Sequence, residues 1–284
     1  GKTLSRGGEE TRQTAAGPVL HVVYFGDECE ENAVGGTGNG ILTGNSLPNR
    51  LTGNAGNDRL TGAAGNDVLV GALGNDNYVF GVATSTEADI VIETGNAGND
   101  TLTFSTLATA VNLDLGSTAV QAVHTNRTLK RNSSGAFENA TGGSGDDILK
   151  GNSLANVLTG NGGEDQLSGK NGRDILIRGN GQDILQGGND DDILVTGFTN
   201  YDSLFEDLNT WQTTWQSVNL YATRVSSIQA GVSAPTVSLQ AGINVLNDSS
   251  PGDSLSGGNG DDWFLAAIDD VLTDLLAGEQ LDVL

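Results

Sequence analysis

Hydrophobic residues recur every nine positions in two long stretches of this chain. Eleven nine-residue blocks, five in residues 35–79 and six in residues 142–195, typically have glycine first, glycine fourth, aspartate sixth and an aliphatic or aromatic residue eighth. Because side chains alternate between the two faces of a strand, we interpret each block as a turn followed by a three-residue strand whose eighth residue points inward. Two blocks then form one flattened coil, and the pattern predicts a stack of such coils.

The sixth position carries the candidate chemistry. Eighteen residues per coil place the sixth residue of one block beside the sixth residue two blocks later, at a strand spacing of about 4.8 Å. Stacked carboxylates repel one another unless a cation lies between them, and glycine turns bring backbone carbonyls close. The pattern favours several calcium ions, because magnesium needs tighter octahedral geometry. The predicted metal ligands are Asp58, Asp67, Asp76, Asp100, Asp147, Asn156, Asp165, Asp174, Asp183, Asp192 and Asp262.

These predicted sites are not equivalent. Pairs of two aspartates should bind calcium best, and in the second array these are Asp147–Asp165, Asp165–Asp183 and Asp174–Asp192. The weaker pairs contain an uncharged partner: Gly40 with Asp58, Asn49 with Asp67, and Asn156 with Asp174. Asp58 and Asp76 form the fully charged pair of the first array, whereas Asp100 stands in a single block where a plain turn is an equal alternative. Turns that depart from the pattern, and should differ in geometry, contain Leu47, Leu154, Arg178 and Asp190.

The nonapeptide resembles the Gly-Gly-x-Gly-x-Asp-x-U-x repeat of the RTX (repeats-in-toxin) family, with looser copies at residues 95–103 and 257–265. This resemblance implies an all-β fold, a right-handed parallel β-roll or β-helix solenoid, with calcium between adjacent turns. It also implies ligation by both sixth-position aspartates and by turn carbonyls, export through a type I secretion channel, and a secreted, extracellular or cell-surface location. The terminal residues 281–284 are similar to the end of several type I secretion substrates.

The segments outside the arrays predict further elements. Residues 80–141 keep strand signals, and their polar, basic stretch 126–134 is interpreted as a solvated loop, with a contact surface of Arg127, Lys130 and Arg131 as the alternative. Residues 202–206 have a helix-start signature, and Leu204, Leu208, Trp211 and Trp215 share one helical face. With a second helix ending near residue 228, they predict an inserted helical hairpin that covers the roll. The alternative is a sugar-binding platform of Trp211 and Trp215.

The predicted organisation has six parts: residues 1–34, an N-terminal segment with a capping or docking strand at 19–25; 35–79, the first array; 80–141, a longer-coil solenoid linker; 142–198, the second array; 199–232, the helical hairpin; and 233–284, C-terminal coils with the last block and an export signal.

Composition narrows the possible functions. The formal charge is −23, with 36 acidic and 13 basic side chains, so nucleic acid is not an expected partner. No apolar run reaches the roughly 20 residues of a transmembrane helix. The chain has one cysteine, and its two histidines lack metal-ligand spacing. Catalytic motifs such as Gly-x-Ser-x-Gly and His-Glu-x-x-His are absent from the sequence, so we expect no enzyme active site.

Two functions fit these observations. The first is a calcium-binding extracellular structural or adhesive module that folds after export and contacts copies of itself or a cell-surface or matrix polymer. The alternative is the export and folding appendage of a larger secreted hydrolase.

Overall fold

The computed structural model describes residues 10–13, 21–24, 31–93, 98–133, 135–199, 205–231, 245–247, 252–267, 269–277 and 279–284. Within these ranges the strands are β1 (Glu10–Gln13), β2 (His21–Tyr24), β3 (Glu31–Val34), β4 (Gly40–Thr43), β5 (Asn49–Ala55), β6 (Arg59–Thr61), β7 (Val68–Leu73), β8 (Asn77–Val79), β9 (Glu87–Ile92), β10 (Thr101–Thr103), β11 (Asn112–Asp114), β12 (Gln121–His124), β13 (Arg127–Arg131), β14 (Asn139–Thr141), β15 (Ile148–Lys150), β16 (Val157–Gly162), β17 (Gln166–Asn171), β18 (Ile175–Asn180), β19 (Ile184–Asn189), β20 (Ile193–Val195), β21 (Gly197–Thr199), β22 (Val245–Asn247), β23 (Ser254–Asn259), β24 (Trp263–Ala266), β25 (Val271–Leu272) and β26 (Gln280–Val283). Two short helices, α1 (Phe205–Trp215) and α2 (Tyr221–Ala230), lie between β21 and β22.

The chain divides into two compact units: residues 1–106 with 117–137, and residues 107–116 with 138–284. In the first unit the strands are ordered β1-β3-β5-β7-β9-β13-β12 and β2-β4-β6-β8-β10. In the second unit they are ordered β14-β16-β18-β20-β24-β26 and β11-β15-β17-β19-β23-β25, with a separate antiparallel pair β21-β22. Successive repeat strands alternate between two sheets and pair in parallel, as the coils of a solenoid do.

The inward position predicted from the repeat forms the core. Eighth-position residues align from coil to coil, as Leu51 does with Leu69 and Leu158 with Leu176. All of them are at most 1 % exposed: Leu42, Leu51, Leu60, Leu69, Tyr78, Leu149, Leu158, Leu167, Leu176, Leu185 and Leu194. The all-β parallel β-roll predicted from the sequence is therefore confirmed.

The coil length changes where the repeat pattern stops. Leu69 aligns with Val91 in a coil of 22 residues, the spacing that also separates Asp67 from Asp89. Leu185 aligns with Leu255 although the two coils are 70 residues apart, as Asp183 and Asp253 are. The extra residues lie outside the paired strands, and the strands keep their register. A shift of one residue would expose the aligned eighth-position side chains.

The helical hairpin is the largest insertion and packs on the second unit. Trp211 and Trp215 are fully buried. Their cluster consists of Val157, Ile175, Ile177, Ile193, Val195, Leu208, Trp211, Trp215, Val225, Ile228, Trp263 and Leu265. The hairpin therefore acts as a lid on one sheet of the roll. The alternative of an exposed sugar platform is wrong, since both indole rings are covered; the predicted helix start at 202–204 lies outside the described residues.

The basic stretch after residue 126 is a strand. β13 pairs in parallel with β9, and the Arg127 and Arg131 side chains are buried, whereas Lys130 is exposed. The prediction of a solvated loop or contact surface is therefore wrong for these two arginines. The buried carboxylates that pair with Arg127 lie about 40 residues away along the chain, as Glu87 does, which local polarity could not indicate. Arg131 donates to the Ser117 carbonyl, 14 residues away.

The described N-terminal strands lie on the roll of their own chain. β2 pairs in parallel with β4, with Val22 beside Ile41, and β1 pairs with β3. The other residues of the predicted strand 19–25 lie outside the described ranges. Neither helix in the described part of the chain is long and apolar enough to cross a membrane.

Candidate metal sites

The predicted aspartates form columns that follow the coils of each unit. In each column the backbone N–H of one sixth-position residue donates to Oδ1 of the next, as Asp147 donates to Asp165 at 2.8 Å. Asp58 donates to Asp76 at 2.7 Å and Asp76 to Asp100 at 2.8 Å in the same way. The columns are Gly40-Asp58-Asp76-Asp100 and Asn49-Asp67-Asp89 in the first unit, and Asp147-Asp165-Asp183-Asp253 and Asn156-Asp174-Asp192-Asp262 in the second.

The other carboxylate oxygen remains open in most of these turns. Oδ2 is buried and has no hydrogen-bond partner among the described residues in Asp58, Asp67, Asp76, Asp165, Asp174, Asp192 and Asp262. Leaving a buried charged oxygen without a partner is strongly unfavourable. Asp147 differs, because the Gly143 N–H donates to its Oδ2 at 2.7 Å. The open oxygens have the chemistry that calcium requires.

Glycine at the first position provides the space beside each open oxygen. A Cβ atom at Gly169 would collide with Asp174 Oδ2 and would lie 2.7 Å from the carbonyl oxygen of Gly187 in the next coil. A carboxylate oxygen and a carbonyl oxygen thus converge where glycine has no side chain. The fourth glycine has another role, since Gly172 has a φ of 103°, which side chains rarely adopt. This oxygen-lined cradle fits a calcium ion.

Burial disfavours the charged form of the stacked carboxyl groups. It raises the pKa of Asp58 and Asp147 to about 6, against the lowering effect of backbone N–H donors. It raises the pKa of Asp67 and Asp165 to about 8. For Asp192, burial and then the charge of Asp174 raise the pKa to about 10. A bound cation would offset these effects, because an opposite charge at close range favours the carboxylate.

The RTX calcium-binding nonapeptide repeat matches the sequence in four copies, at residues 43–78, 141–176, 179–200 and 240–270. These segments contain the regular turns of both units. The chain carries RTX calcium-binding repeats. RTX repeat proteins are typically secreted by type I systems, and the calcium-binding repeat itself is typically structural. No curated protein matches the sequence.

In two of the RTX turns, asparagine side-chain amides make the hydrogen bonds that hold the turn. Asn156 Oδ1 accepts the Asn152 N–H at 2.8 Å, and Asn156 Nδ2 donates to the Glu138 carbonyl at 2.7 Å. Asn152 Oδ1 accepts the Leu154 N–H at 2.8 Å, which fixes the turn that lacks the fourth glycine. Residues 45–49 have the same arrangement. Because its amide already has protein partners at both atoms, Asn156 is a weaker candidate ligand than the aspartates.

Two RTX aspartates have an arginine at Oδ2. Asp183 Oδ2 lies 3.2 Å from Arg178 Nη1, and Asp253 Oδ2 lies 2.7 Å from Arg178 Nη2. The structure therefore brings Asp183 into the predicted column but gives its second oxygen a cationic protein partner.

A buried acidic group lies at the end of the first RTX array. Among the described residues, the candidate ligand oxygens of Asp76, Glu93 and Asp100 all lie within 4.8 Å of one another. Val70 aligns with Ile92, so Glu93 stands where the preceding coil has Gly71. The Tyr78 hydroxyl donates to Glu93 Oε1. Asp100, which the sequence presents as an isolated block, therefore has Asp76 as its neighbour in the column.

Sequence reasoning missed three of the acidic residues in these turns, Asp89, Glu93 and Asp253. Asp89 and Asp253 each stand two residues before a buried aliphatic side chain, Val91 and Leu255. That Asp-x-aliphatic signal is present in the sequence, but the turns before it lack the glycines of the nine-residue pattern. Glu93 has no local signal, since its position follows from the strand register alone.

Proposed function

We propose that this chain is an extracellular structural or adhesive module that folds on calcium after export. The observation that carries the proposal is the set of stacked, buried carboxylates whose second oxygen has no hydrogen-bond partner among the described residues. Such a column is unfavourable without cations and favourable with them, because calcium binds carboxylate and carbonyl oxygens. The columns of both units contain such carboxylates, so calcium would stabilise both.

The proposed timing of folding follows from the calcium affinity of extracellular modules. Extracellular modules bind calcium with Kd values of about 10⁻⁴ to 10⁻³ M, so their sites fill only outside the cell. A ligand that binds only the folded chain stabilises it by about 2.7 kcal/mol per site at a hundredfold excess over Kd. Several sites in one stack would make the transition cooperative. The chain would thus stay unfolded during export and fold outside.

A calcium titration tests this proposal. The three tryptophans, Trp211, Trp215 and Trp263, are all buried, so their fluorescence reports the folded state together with far-ultraviolet circular dichroism. We expect chelator to abolish the β signal and shift the emission to the red, and millimolar calcium to restore both. Identical spectra with chelator and with calcium would contradict the proposal.

A matched pair of variants assigns the effect to the columns. Asp165→Asn removes a stacked carboxylate whose Oδ2 is open, whereas Asp146→Asn removes a neighbouring carboxylate that is exposed to solvent. We expect Asp165→Asn to raise the calcium midpoint severalfold and Asp146→Asn to leave it unchanged. Equal effects of the two substitutions would indicate a general charge effect instead of bound ions.

The adhesive role needs a partner, either a second copy of the chain or a cell-surface or matrix polymer. Leu281 and Val283 on β26 are 40 % and 55 % exposed, and β26 is the edge strand of its sheet among the described residues. Exposed strand edges can pair with another chain, which supports the self-assembly alternative. Light scattering distinguishes the two: calcium-dependent growth in mass indicates self-assembly, and a constant mass indicates an external polymer.

A further inference from the structure

One RTX block has an arginine where the other strict blocks have their first glycine. Arg178 begins the block of residues 178–186, and its side chain is fully buried. Its guanidinium lies between two carboxylates of one column, with Nη1 3.2 Å from Asp183 Oδ2 and Nη2 2.7 Å from Asp253 Oδ2. Nη1 also donates to the carbonyl oxygen of Gly181 in the same turn. The guanidinium therefore contacts carboxylate and carbonyl oxygens, the same types of ligand as the calcium cradle.

The neighbouring block provides a direct comparison within the same unit. Asp192 stands nine residues after Asp183 and donates its backbone N–H to Asp262 at 2.7 Å, as Asp183 donates to Asp253 at 2.9 Å. The block of Asp192 begins with Gly187, and Asp192 Oδ2 has no hydrogen-bond partner among the described residues. The two turns thus have the same backbone ladder and differ in what faces Oδ2.

In the first unit, a second buried arginine also forms an ion pair with a carboxylate of a column. Arg127 on β13 pairs through Nη1 with Asp89 Oδ2 and through Nη2 with Glu87 Oε2, the latter at 2.5 Å. All three side chains are at most 3 % exposed. The guanidinium also lies 5.3 Å from the ring centroid of Phe80. Asp67, the previous member of this column, has an open Oδ2. Two different elements therefore supply a buried guanidinium to one column in each unit.

We propose that Arg178 and Arg127 are built-in cations that take the place of calcium at Asp183–Asp253 and at Asp89. A guanidinium has five N–H donors in a planar fork, so it can bind two carboxylates at once, and it keeps its charge at any physiological pH. Its charge does not depend on the calcium concentration. These turns are therefore closed in the absence of calcium, while the turns with an open Oδ2 require the ion.

Both arginines lie where the 18-residue spacing between coils is interrupted, and this position explains what they contribute. Asp183 and Asp253 belong to adjacent coils that are 70 residues apart in sequence, and Arg127 lies about 40 residues after Glu87. The chain must close a long loop before these coils can stack, and closing a longer loop costs more entropy. A cation that is part of the chain joins the coils without waiting for an ion. The arginines thus hold the register across insertions that interrupt the 18-residue spacing.

Calcium stoichiometry tests this inference, which rests on the proposed calcium binding. Equilibrium dialysis would compare the wild-type chain with Arg178→Gly, which restores the glycine of the other blocks and removes the guanidinium. We expect Arg178→Gly to bind one more calcium ion per chain than the wild type. Arg59→Gly removes an exposed arginine on β6 and is expected to leave the number unchanged. An unchanged number in Arg178→Gly would overturn the inference.

A second comparison remains decisive if Arg178→Gly does not fold. Asp183→Asn removes a carboxylate that faces the guanidinium, and Asp192→Asn removes the corresponding carboxylate with an open Oδ2. We expect Asp192→Asn to lose one bound calcium ion and Asp183→Asn to lose none. Loss of an ion in Asp183→Asn would overturn the inference while leaving the proposed function intact. A wild-type chain that binds no calcium would instead contradict the proposed function.

Discussion

The sixth-position side chains differ in what their second polar atom contacts, and we expect this difference to set how each turn responds to calcium. The first oxygen has the same task in both units, because it accepts the backbone N–H of the preceding coil, as Asp76 accepts that of Asp58. The second oxygen is open in Asp165 and faces a guanidinium in Asp183. Asn156 has a single side-chain oxygen, which accepts the Asn152 N–H, and its amide nitrogen donates to Asn152 Oδ1. The backbone arrangement is therefore shared by three kinds of turn, with an open oxygen, an amide network or a guanidinium. A single side-chain difference determines which kind is present.

The first glycine is essential to an open turn because its missing side chain is the space beside the carboxylate. Gly169→Ala places a Cβ atom against Asp174 Oδ2 and near the Gly187 carbonyl. Overpacking of this kind costs about 1–3 kcal/mol, so we expect a calcium midpoint several times higher in a fluorescence titration. Gly135→Ala is the control, since a Cβ there meets nothing within 4 Å. Equal midpoints for the two variants would exclude this role of Gly169.

Glu93 is expected to add a third carboxylate to the ion site of Asp76 and Asp100. Glu93→Gln leaves the shape of the side chain nearly unchanged but removes its charge, and affinity for calcium depends on ligand charge. We expect binding at this site to weaken on the order of tenfold, which is about 1.4 kcal/mol. Terbium luminescence excited through tyrosine measures it, since the Tyr78 hydroxyl contacts Glu93.

The control for this test is Asp114→Asn, which removes a half-exposed carboxylate paired with Lys170 outside the columns. Its terbium signal should equal that of the wild-type chain. If Glu93→Gln also retained the full signal, Glu93 would have no role in ion binding.

At the residue scale the sequence was sufficient for the core and for most of the columns. Leu51 and Leu158 follow from the eighth position, and Asp58 and Asp165 from the sixth, because an 18-residue coil fixes their neighbours. The partners of Arg127 could not be predicted, since they depend on a strand pairing across a long insertion.

At the scale of elements, the strands beneath the hairpin differ from the other repeat strands. Strand side chains alternate between faces, and most repeat strands have a polar outer face, as β6 does with Arg59. β18 and β20 read Ile-Leu-Ile and Ile-Leu-Val and are buried on both faces. These continuous apolar runs indicate a covered sheet. The helical periodicity of the sequence predicted the hairpin. The continuous apolar runs of β18 and β20 could also have indicated that the hairpin covers these two strands.

Trp215 is expected to anchor the hairpin to the second unit. Its indole N–H donates to the Asp191 carbonyl at 2.8 Å, and the Arg224 guanidinium lies 4.7 Å from its ring centroid. Trp215→Ala should reduce the free energy of unfolding by about 3–5 kcal/mol in urea at saturating calcium. Val218→Ala, at a fully exposed position between the helices, should change it by less than about 0.5 kcal/mol. Similar losses for both variants would exclude a special role for the indole.

At the scale of the whole molecule, the charge of −23 and the buried carboxylates act in the same direction. Both make the calcium-free folded chain unfavourable at neutral pH, because like charges repel and buried carboxylates lose hydration. Two neutralising agents can relieve this, calcium and protons. The buried arginines neutralise carboxylates at a few turns. The other carboxylates of each column therefore depend on calcium or on protons.

Acid should therefore substitute in part for calcium. Burial raises the pKa of Asp67 and Asp165 to about 8 in the folded chain, compared with the ordinary aspartate value near 4. A group whose pKa is higher in the folded state contributes stability below its unfolded pKa and loses that contribution as the pH rises through its folded pKa. Without calcium, stability should thus fall between about pH 4 and pH 8.

The β signal in circular dichroism measures this effect as the folded fraction of the calcium-free chain at pH 5.5 and at pH 8.5, both above the isoelectric point near 4.1. Urea unfolding measures the stability at the same two pH values in saturating calcium. We expect the calcium-free chain to be more stable at pH 5.5. In saturating calcium the order should reverse, because protons then compete with the ion for the same oxygens. A calcium-free chain that is equally stable at both pH values would show that the stacked carboxylates do not govern folding.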